Sequence, residues 1–287
     1  MMKQMRILLG APVWYGNRPF KKTIEELHKL ELDYFEFSLD YPLPDCMGKT
    51  DRAELKDLLT DYGMKIAFHS PLDISVAHPR EELADASMTI LKRCMDFYTD
   101  LQPHSLYYNF HLHPRVSTYT LEDMRAEMKI KGLRRCETIT RMASESGIVA
   151  SVENDLVPFK WSDLILEALS SPELYLTFDV GHAIMAELHR SRTKGSNYLD
   201  YIAQWIEKCG PKILVVHLHD CALTEKQDHL SIGAGELDFD AIFDMLKRTN
   251  CKYIVIETFW RNKDKGEMNY EELKRNVDFC RSMSTVK

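Results

Sequence analysis

Eight short apolar runs alternate with eight amphipathic stretches from one end of this 287-residue chain to the other, and that alternation most constrains its fold. Residues 6–12, 34–40, 65–70, 105–113, 148–154, 174–182, 212–220 and 253–259 read as strands. Helical patterns follow near 20–31, 51–62, 81–99, 121–146 and 161–170, through much of 183–208, near 238–249, and over 270–283. Strand–helix pairs in this order predict a parallel sheet, because parallel neighbours need a crossover connection and a helix usually supplies it. Near-continuous apolar runs such as KILVV and YIVI suit strands covered on both faces. No GxGxxG follows the first strand, which argues against an open dinucleotide-binding sheet. The expectation is one α/β domain over residues 1–287, closed as a (β/α)8 TIM barrel.

Composition narrows the function classes. Hydrophobic residues make up 45% and charged residues 28%, which is enough apolar material for a sizeable core. The net charge of −7 speaks against a general nucleic-acid binder, although a local basic patch can coexist with an acidic total. Seven scattered cysteines without a CxxC pair read as free thiols in a reducing compartment. No apolar run reaches the ~20 residues that span a bilayer, and MMKQMRILLGAP reads as a first strand rather than a signal peptide. The expected location is cytoplasmic, with no membrane partner.

The strands are apolar except at their ends, where chemistry collects. His69 ends the third, His111 and His113 the fourth, and Glu153 the fifth. Asp179 and His182 close the sixth, His217 and His219 the seventh, and Glu257 the eighth; Asp228 and His229 follow in the seventh loop. In a barrel of this kind those ends form one rim, where active sites lie. Buried carboxylates need charge partners or a metal. Carboxylates and imidazoles converging together suit a divalent cation, with Zn and Mn the leading candidates and one to three ions the range. An Asp at a strand exit also serves as a turn or N-cap residue, so Asp179 alone would carry little. Alternation puts His217 and His219 on one face, and likewise His111 and His113. The histidines are too many for one metal, and His113 and His219 read as ligand-orienting or substrate-contacting groups. His28, His78, His104 and His189 fall in helix or loop contexts and read as ordinary surface or structural residues. Asp220 either orients a ligand or starts a loop. Trp14 and Trp260, at the first and eighth strand exits, are neighbours in a closed barrel and either form an apolar wall for substrate or simply pack.

The ordered series FHSPLD (68–73), YNFHLHP (108–114), VEN (152–154), FDVGHA (178–183), HLHD (217–220), DHLSIGAGELDF (228–239) and VIET (255–258) resembles the xylose isomerase-like TIM-barrel superfamily. That superfamily holds sugar phosphate isomerases and epimerases and the endonuclease IV-type apurinic endonucleases. The resemblance implies that Glu153, Asp179, His217 and Glu257 form a metal-binding quartet, with Glu153 and Glu257 also the acid/base pair. It implies that His182 contacts substrate or a second metal, and that His69, His111 and His229 are further zinc ligands in the endonuclease branch. The chain departs from the endonuclease pattern in three places. His219-Asp220-Cys221-Ala222 replaces Asn-Asp-Ser-Lys, and Ala11-Pro12-Val13-Trp14 stands where that branch has His-Val-Ser. The endonucleases separate an Asp from its His by one residue, whereas here Asp228 and His229 are adjacent, which leaves a third zinc site without its expected Asp. No Arg downstream of His217 matches the epimerases' substrate-binding arginine.

The leading expectation is a metal-dependent isomerase or epimerase of a sugar, sugar phosphate or related polyhydroxylated carbonyl compound. Glutamate-mediated proton transfer would pass through a metal-stabilised enediolate. A zinc-dependent phosphodiesterase acting at abasic DNA is the alternative, with DNA a partner only in that case. A lyase or dehydratase would use the same groups with loss of hydroxide, and a metabolite- or metal-sensing barrel would leave the acid/base groups without a task. Oligomeric state is open.

Overall fold

The computed structural model describes residues 6–113, 121–190 and 197–285. Pro114, at the end of one family-like motif, and residues 191–196 of the long helical stretch lie outside them. The strands in chain order are β1 (Leu8–Val13), β2 (Tyr34–Ser38), β3 (Lys65–His69), β4 (Ser105–Phe110), β5 (Ala150–Glu153), β6 (Leu174–Asp179), β7 (Ile213–Leu218), β8 (Asp220–Ala222), β9 (Gln227–Leu230) and β10 (Tyr253–Ile256). The helices are α1 (Phe20–Lys29), α2 (Lys49–Asp61), α3 (Glu81–Asp100), α4 (Glu122–Glu145), α5 (Asp163–Ala168), α6 (Val180–Arg190), α7 (Tyr198–Cys209), α8 (Phe239–Leu246) and α9 (Tyr270–Thr285).

Eight strands close a barrel in the order β1-β10-β7-β6-β5-β4-β3-β2, every pair parallel. The predicted (β/α)8 fold is the observed one. Each helix covers its strands with an apolar stripe of helical period: α3 buries Ala84, Leu91, Cys94, Met95 and Tyr98, and α8 buries Phe239, Ile242, Phe243 and Leu246. Each large apolar side chain so covered contributes about 1.5–3 kcal/mol. Among the described residues no helix is long and apolar enough to cross a membrane.

Strand alternation decides what enters the barrel. Tyr34 and Glu36 share a face of β2, as do Tyr107 and Asn109 on β4, Ser151 and Glu153 on β5, and Thr177 and Asp179 on β6. Contacts across the interior identify that face: the Tyr34 and Tyr107 hydroxyls lie 3.3 Å apart, and Ser151 Oγ meets Thr177 Oγ1 at 2.7 Å. The floor is therefore aromatic and the upper layers are polar.

Two elements depart from the sequence reading. The strands stop earlier than their polar tails suggested, so β4 ends at Phe110 and His111 and His113 lie beyond it, while β7 ends at Leu218, just before His219. The seventh loop contains an antiparallel hairpin, β8–β9, whose strands of three and four residues are too short to carry a hydrophobic alternation that would announce them.

Candidate metal centre

Asp179 shows how the site is assembled. The backbone N–H of His182 donates to its Oδ1 at 2.6 Å, capping the start of α6. The same oxygen lies 3.2 Å from His219 Nε2. Oδ2 is buried with no hydrogen-bond partner. One oxygen thus serves the fold and the other faces the barrel mouth. The Asn154 side chain fixes the Asp179 backbone from β5, accepting from its N–H at 2.6 Å and donating to its carbonyl at 3.0 Å.

His217 lies at the centre of three carboxylates. Its Nδ1 is 3.0 Å from Glu257 Oε2, 3.6 Å from Glu153 Oε2 and 3.9 Å from Asp179 Oδ2, and it too is buried without a hydrogen-bond partner. A cation held by N and O donors at ~2.0–2.2 Å separates its ligands by about 3–3.5 Å. The quartet has that chemistry, but only the His217–Glu257 pair has that spacing: Glu153 and Asp179 stand wider, and His217 belongs to none of the donor groups among the described residues whose atoms all lie within 4.8 Å of one another. Adjacent strands supply it: Asp179 and His217 are register partners across β6 and β7, and Glu257 follows β10 directly.

A second group lies beside the first. His69 and His111 bring their Nε2 atoms to 3.2 Å from each other, with Glu153 Oε2 at 3.5 and 3.9 Å. Both rings are oriented from behind: His69 Nδ1–H donates to the Ser70 carbonyl at 2.8 Å, and His111 Nδ1–H to Asp155 Oδ1 at 2.7 Å. With the protons held there, both Nε2 lone pairs point at the same space, an arrangement typical of metal-ligating histidines. Asn109 Nδ2 donates to Glu153 Oε2 at 2.7 Å and sets its angle between the two groups.

A third group comprises His182, Asp228 and His229, whose donor atoms lie within 4.8 Å of one another. The adjacency of Asp228 and His229 argued against such a set, since neighbours in a strand point to opposite faces. His229 has φ of +56°, and that left-handed residue breaks the alternation and turns both side chains to one side. His182 links this group to the others, with Nδ1 3.1 Å from Glu153 Oε1 and 3.5 Å from Asp179 Oδ2.

His219 lies close enough to Asp179, His229 and Glu257 to count as a fourth donor. Its hydrogen bonds assign it otherwise. The His229 backbone N–H donates to His219 Nδ1 at 2.9 Å, so Nε2 carries the proton and donates to Asp179 Oδ1. The ring reaches this position because residue 181 is glycine: a Cβ there would stand 1.9 Å from His219 Cε1. His113 contacts Asp155, with Nδ1 at 3.5 Å from Oδ2, behind His111 rather than in the site. Asp220 is structural: its two oxygens accept the backbone N–H groups of Cys221, Gly233, Gly235 and Leu237, clamping the SIGAGEL loop.

The electrostatics follow from burial opposed by pairing. Burial pushes the Glu153 carboxyl up, but the charges of His111 and His217 and the hydrogen bonds of His182 and His69 hold it well below the usual range. Glu257 is likewise held low against burial, by His217 and His229. Burial pushes the imidazoles down, yet Glu153 with the Glu36 and Glu257 charges carries His69 up to about 9, and Asp179 and Glu153 carry His182 to about 9. His229 reaches about 10 through Asp228 and Glu257.

Trp14 and Trp260 are both half-buried at the mouth. Trp14 meets Phe259 edge-on at 5.3 Å, and Phe259 stacks on His229 at 4.3 Å, so the aromatic wall beside the third group is built from Phe259. The Trp260 backbone bridges Leu230 and Glu267, and Lys265 lies over its ring. His28, His78 and His104 bond or pack on helices and loops away from the donor groups. Sequence reading missed Asn109, Asn154 and Asp155. The last two directly follow Glu153, and a run of polar residues after a strand-end carboxylate was the available signal.

A family model described as the xylose isomerase-like TIM barrel matches residues 24–283. The chain belongs to that family. An uncharacterised protein of Methanocaldococcus jannaschii is 23% identical over 201 residues, 68% of this chain and 71% of that one. Among solved structures, the D-psicose 3-epimerase of Clostridium cellulolyticum H10 superposes with a TM-score of 0.74 at 14% identity, covering 98% of this chain and 100% of its own. A D-tagatose 3-epimerase-like protein gives 0.71 at 19% identity, with 97% of both chains covered. At these identities the structures share the fold. The donor groups of this xylose isomerase-like barrel stand on the chain's own geometry.

Proposed function

We propose that this protein is a divalent-metal-dependent isomerase or epimerase of a small polyhydroxylated carbonyl compound, with Glu153 and Glu257 as the proton-transferring pair. The observation that carries the reading is the unpartnered His217 Nδ1 amid three carboxylates, with Asp179 Oδ2 also unpartnered. Glu153, Asp179, His217 and Glu257 would hold the ion, with Zn or Mn suiting the mixed N and O donors. Such an ion supplies polarisation of a bound carbonyl and its neighbouring hydroxyl, which acidifies the C–H between them.

The chain's own groups do the rest. Both glutamates are held ionised, so either can accept a carbon-bound proton from substrate, and the other can return one to the opposite face once it has itself taken a proton from solvent. Glu257 is the more open to the mouth, its side chain 13% exposed against 2% for Glu153. Asn109 and His182 hold the Glu153 oxygens in place between them. His182 would bind the polyol, with its neighbour His229 backed by Phe259 and Phe259 in turn by Trp14. The likeness of fold to a D-psicose 3-epimerase and a D-tagatose 3-epimerase-like protein supports the same reaction class.

A second reading draws on a specific observation, the His69–His111–Glu153 and His182–Asp228–His229 groups. A set of that size suits zinc-dependent phosphodiester hydrolysis at abasic DNA, with DNA as the partner. Elemental analysis of protein purified without chelator separates the two. About one Zn or Mn per chain supports the isomerase, and two to three zinc ions with incision of an abasic duplex, abolished in Glu257→Gln, supports the hydrolase. Absence of any tightly bound divalent ion, with none taken up on titration, would remove both.

A further inference from the structure

One buried carboxylate has no part in the site as described. Glu36 lies in the middle of β2 between Phe35 and Phe37, is 2% exposed, and points into the barrel beneath the metal-binding quartet. An ionised carboxylate there is costly unless it is paired and hydrogen-bonded. Its partners are specific. His217 Nε2 lies 3.2 Å from Oε1 and 3.4 Å from Oε2, and the Tyr107 hydroxyl donates to Oε2 at 2.6 Å. Because the Tyr107 proton is committed to Glu36, the Tyr34 hydroxyl, 3.3 Å away, donates to Tyr107. Tyr34 in turn fits because residue 10 is glycine, where a Cβ would stand 2.5 Å from the tyrosine ring. A hydrogen-bonded column therefore rises through the barrel from Tyr34 to Tyr107, Glu36 and His217.

We propose that Glu36 is a positioning residue that holds His217 as the Nε2–H tautomer, aiming the Nδ1 lone pair at the metal site. The inference rests on the proposed metal site. Both ring nitrogens face carboxylates, Nδ1 those of the quartet and Nε2 that of Glu36; with an ion among the quartet Nδ1 must give up its proton, and the one N–H of the neutral imidazole stays on Nε2 against Glu36. Glu36 therefore decides which ring nitrogen is the ligand. It also adds electron density to the ring through the hydrogen bond, which makes Nδ1 a better donor. The two tyrosines pin the Glu36 carboxylate, so the imidazole plane is set from the barrel floor.

The test is zinc affinity, read by competition with a chromophoric chelator, together with ¹⁵N chemical shifts of the His217 ring in the zinc-loaded protein, where the imidazole is neutral. Glu36→Gln is expected to weaken zinc binding about 10–100-fold, the usual cost of losing an outer partner, and to mix the His217 tautomers. A merely structural role would lower the melting temperature and move neither readout. Unchanged zinc affinity with an unchanged tautomer in folded Glu36→Gln overturns the proposal. If that variant fails to fold, Tyr107→Phe decides, since it frees the Glu36 carboxylate while leaving Glu36 and His217 in place: weaker zinc supports positioning and unaltered zinc overturns it. His217→Ala separates this from failure of the metal site itself. If His217→Ala retains the affinity of the parent protein, the quartet is wrong, whereas loss of zinc there with none in Glu36→Gln faults only Glu36.

Discussion

Asp179 answers two demands with one carboxylate, and its oxygens can be separated by mutation. Oδ1 caps α6 and receives His219, while Oδ2 faces the quartet unpartnered. Asn is as good an N-cap as Asp, so Asp179→Asn is expected to keep the α6 cap and to lower the melting temperature of the metal-free protein only through the lost charge beside His182. Metal affinity should fall by more than the roughly 10–100-fold that loss of an outer partner costs. Paired thermal melts and zinc titrations check this. An equal loss of stability and affinity would mean that the two oxygens are not independent. Glu153, Asp179, His217 and Glu257 could be read from the sequence because each is a polar break in an apolar run. Glu36 and Asn109 also interrupt such runs, but their partners sit on other strands. Nothing in YFEFS says that a histidine 181 positions later will need its proton held.

At the scale of elements, close backbone approaches explain motifs that looked like chemistry. The glycine of FDVGHA is there because the His219 ring occupies the space its side chain would fill. Gly181→Ala should therefore destabilise by about 1–3 kcal/mol through overpacking. Removing the ring with His219→Ala should recover most of that loss, a coupling that a double-mutant cycle with chemical denaturation would measure. Simple additivity would contradict the contact. Asp220 holds four backbone N–H groups, so Asp220→Ala should free the 231–237 loop and cost about 2–4 kcal/mol. Limited proteolysis would then find a new cut in that loop, and a protected loop would contradict the clamp. HLHD and SIGAGEL are thus partly a scaffold for one another. The hairpin between them escaped the sequence reading because its strands are too short to show a period, and the left-handed His229 leaves no mark in composition.

For the whole molecule, the barrel was legible because eight buried parallel strands and their helices write two different periods into the chain. The convergence at the rim followed from that fold. What did not follow was which nitrogen or oxygen each residue offers, since hydrogen-bond partners come from distant strands. This electrostatic assembly predicts a pH profile for the metal-free protein. His69, His182 and His229 are raised to about 9, 9 and 10, so their stabilisation is full below the ordinary histidine value of 6.5 and is lost as pH climbs through 9 to 10. Glu153 and Glu257 are lowered, so theirs is present above 4.5 and lost as pH falls through the depressed values. Metal-free protein should be most stable between about pH 5 and 6.5 and weaken on either side. A divalent ion needs neutral imidazoles and competes with these protons, so the rise in melting temperature on adding zinc should be larger at pH 8 than at pH 6. A rise of equal size at both would contradict proton-linked binding.

If Glu153 and Glu257 move a carbon-bound proton of a polyhydroxylated carbonyl compound, as we propose, solvent deuterium must enter the substrate. Zinc- or manganese-loaded protein incubated in D₂O with a panel of ketoses and sugar phosphates is expected to incorporate deuterium at the carbon beside the carbonyl in at least one of them. Glu153→Gln and Glu257→Gln should each abolish that incorporation. Fully loaded protein that exchanges no substrate in the panel but cleaves an abasic duplex would contradict the claim and assign the site to hydrolysis.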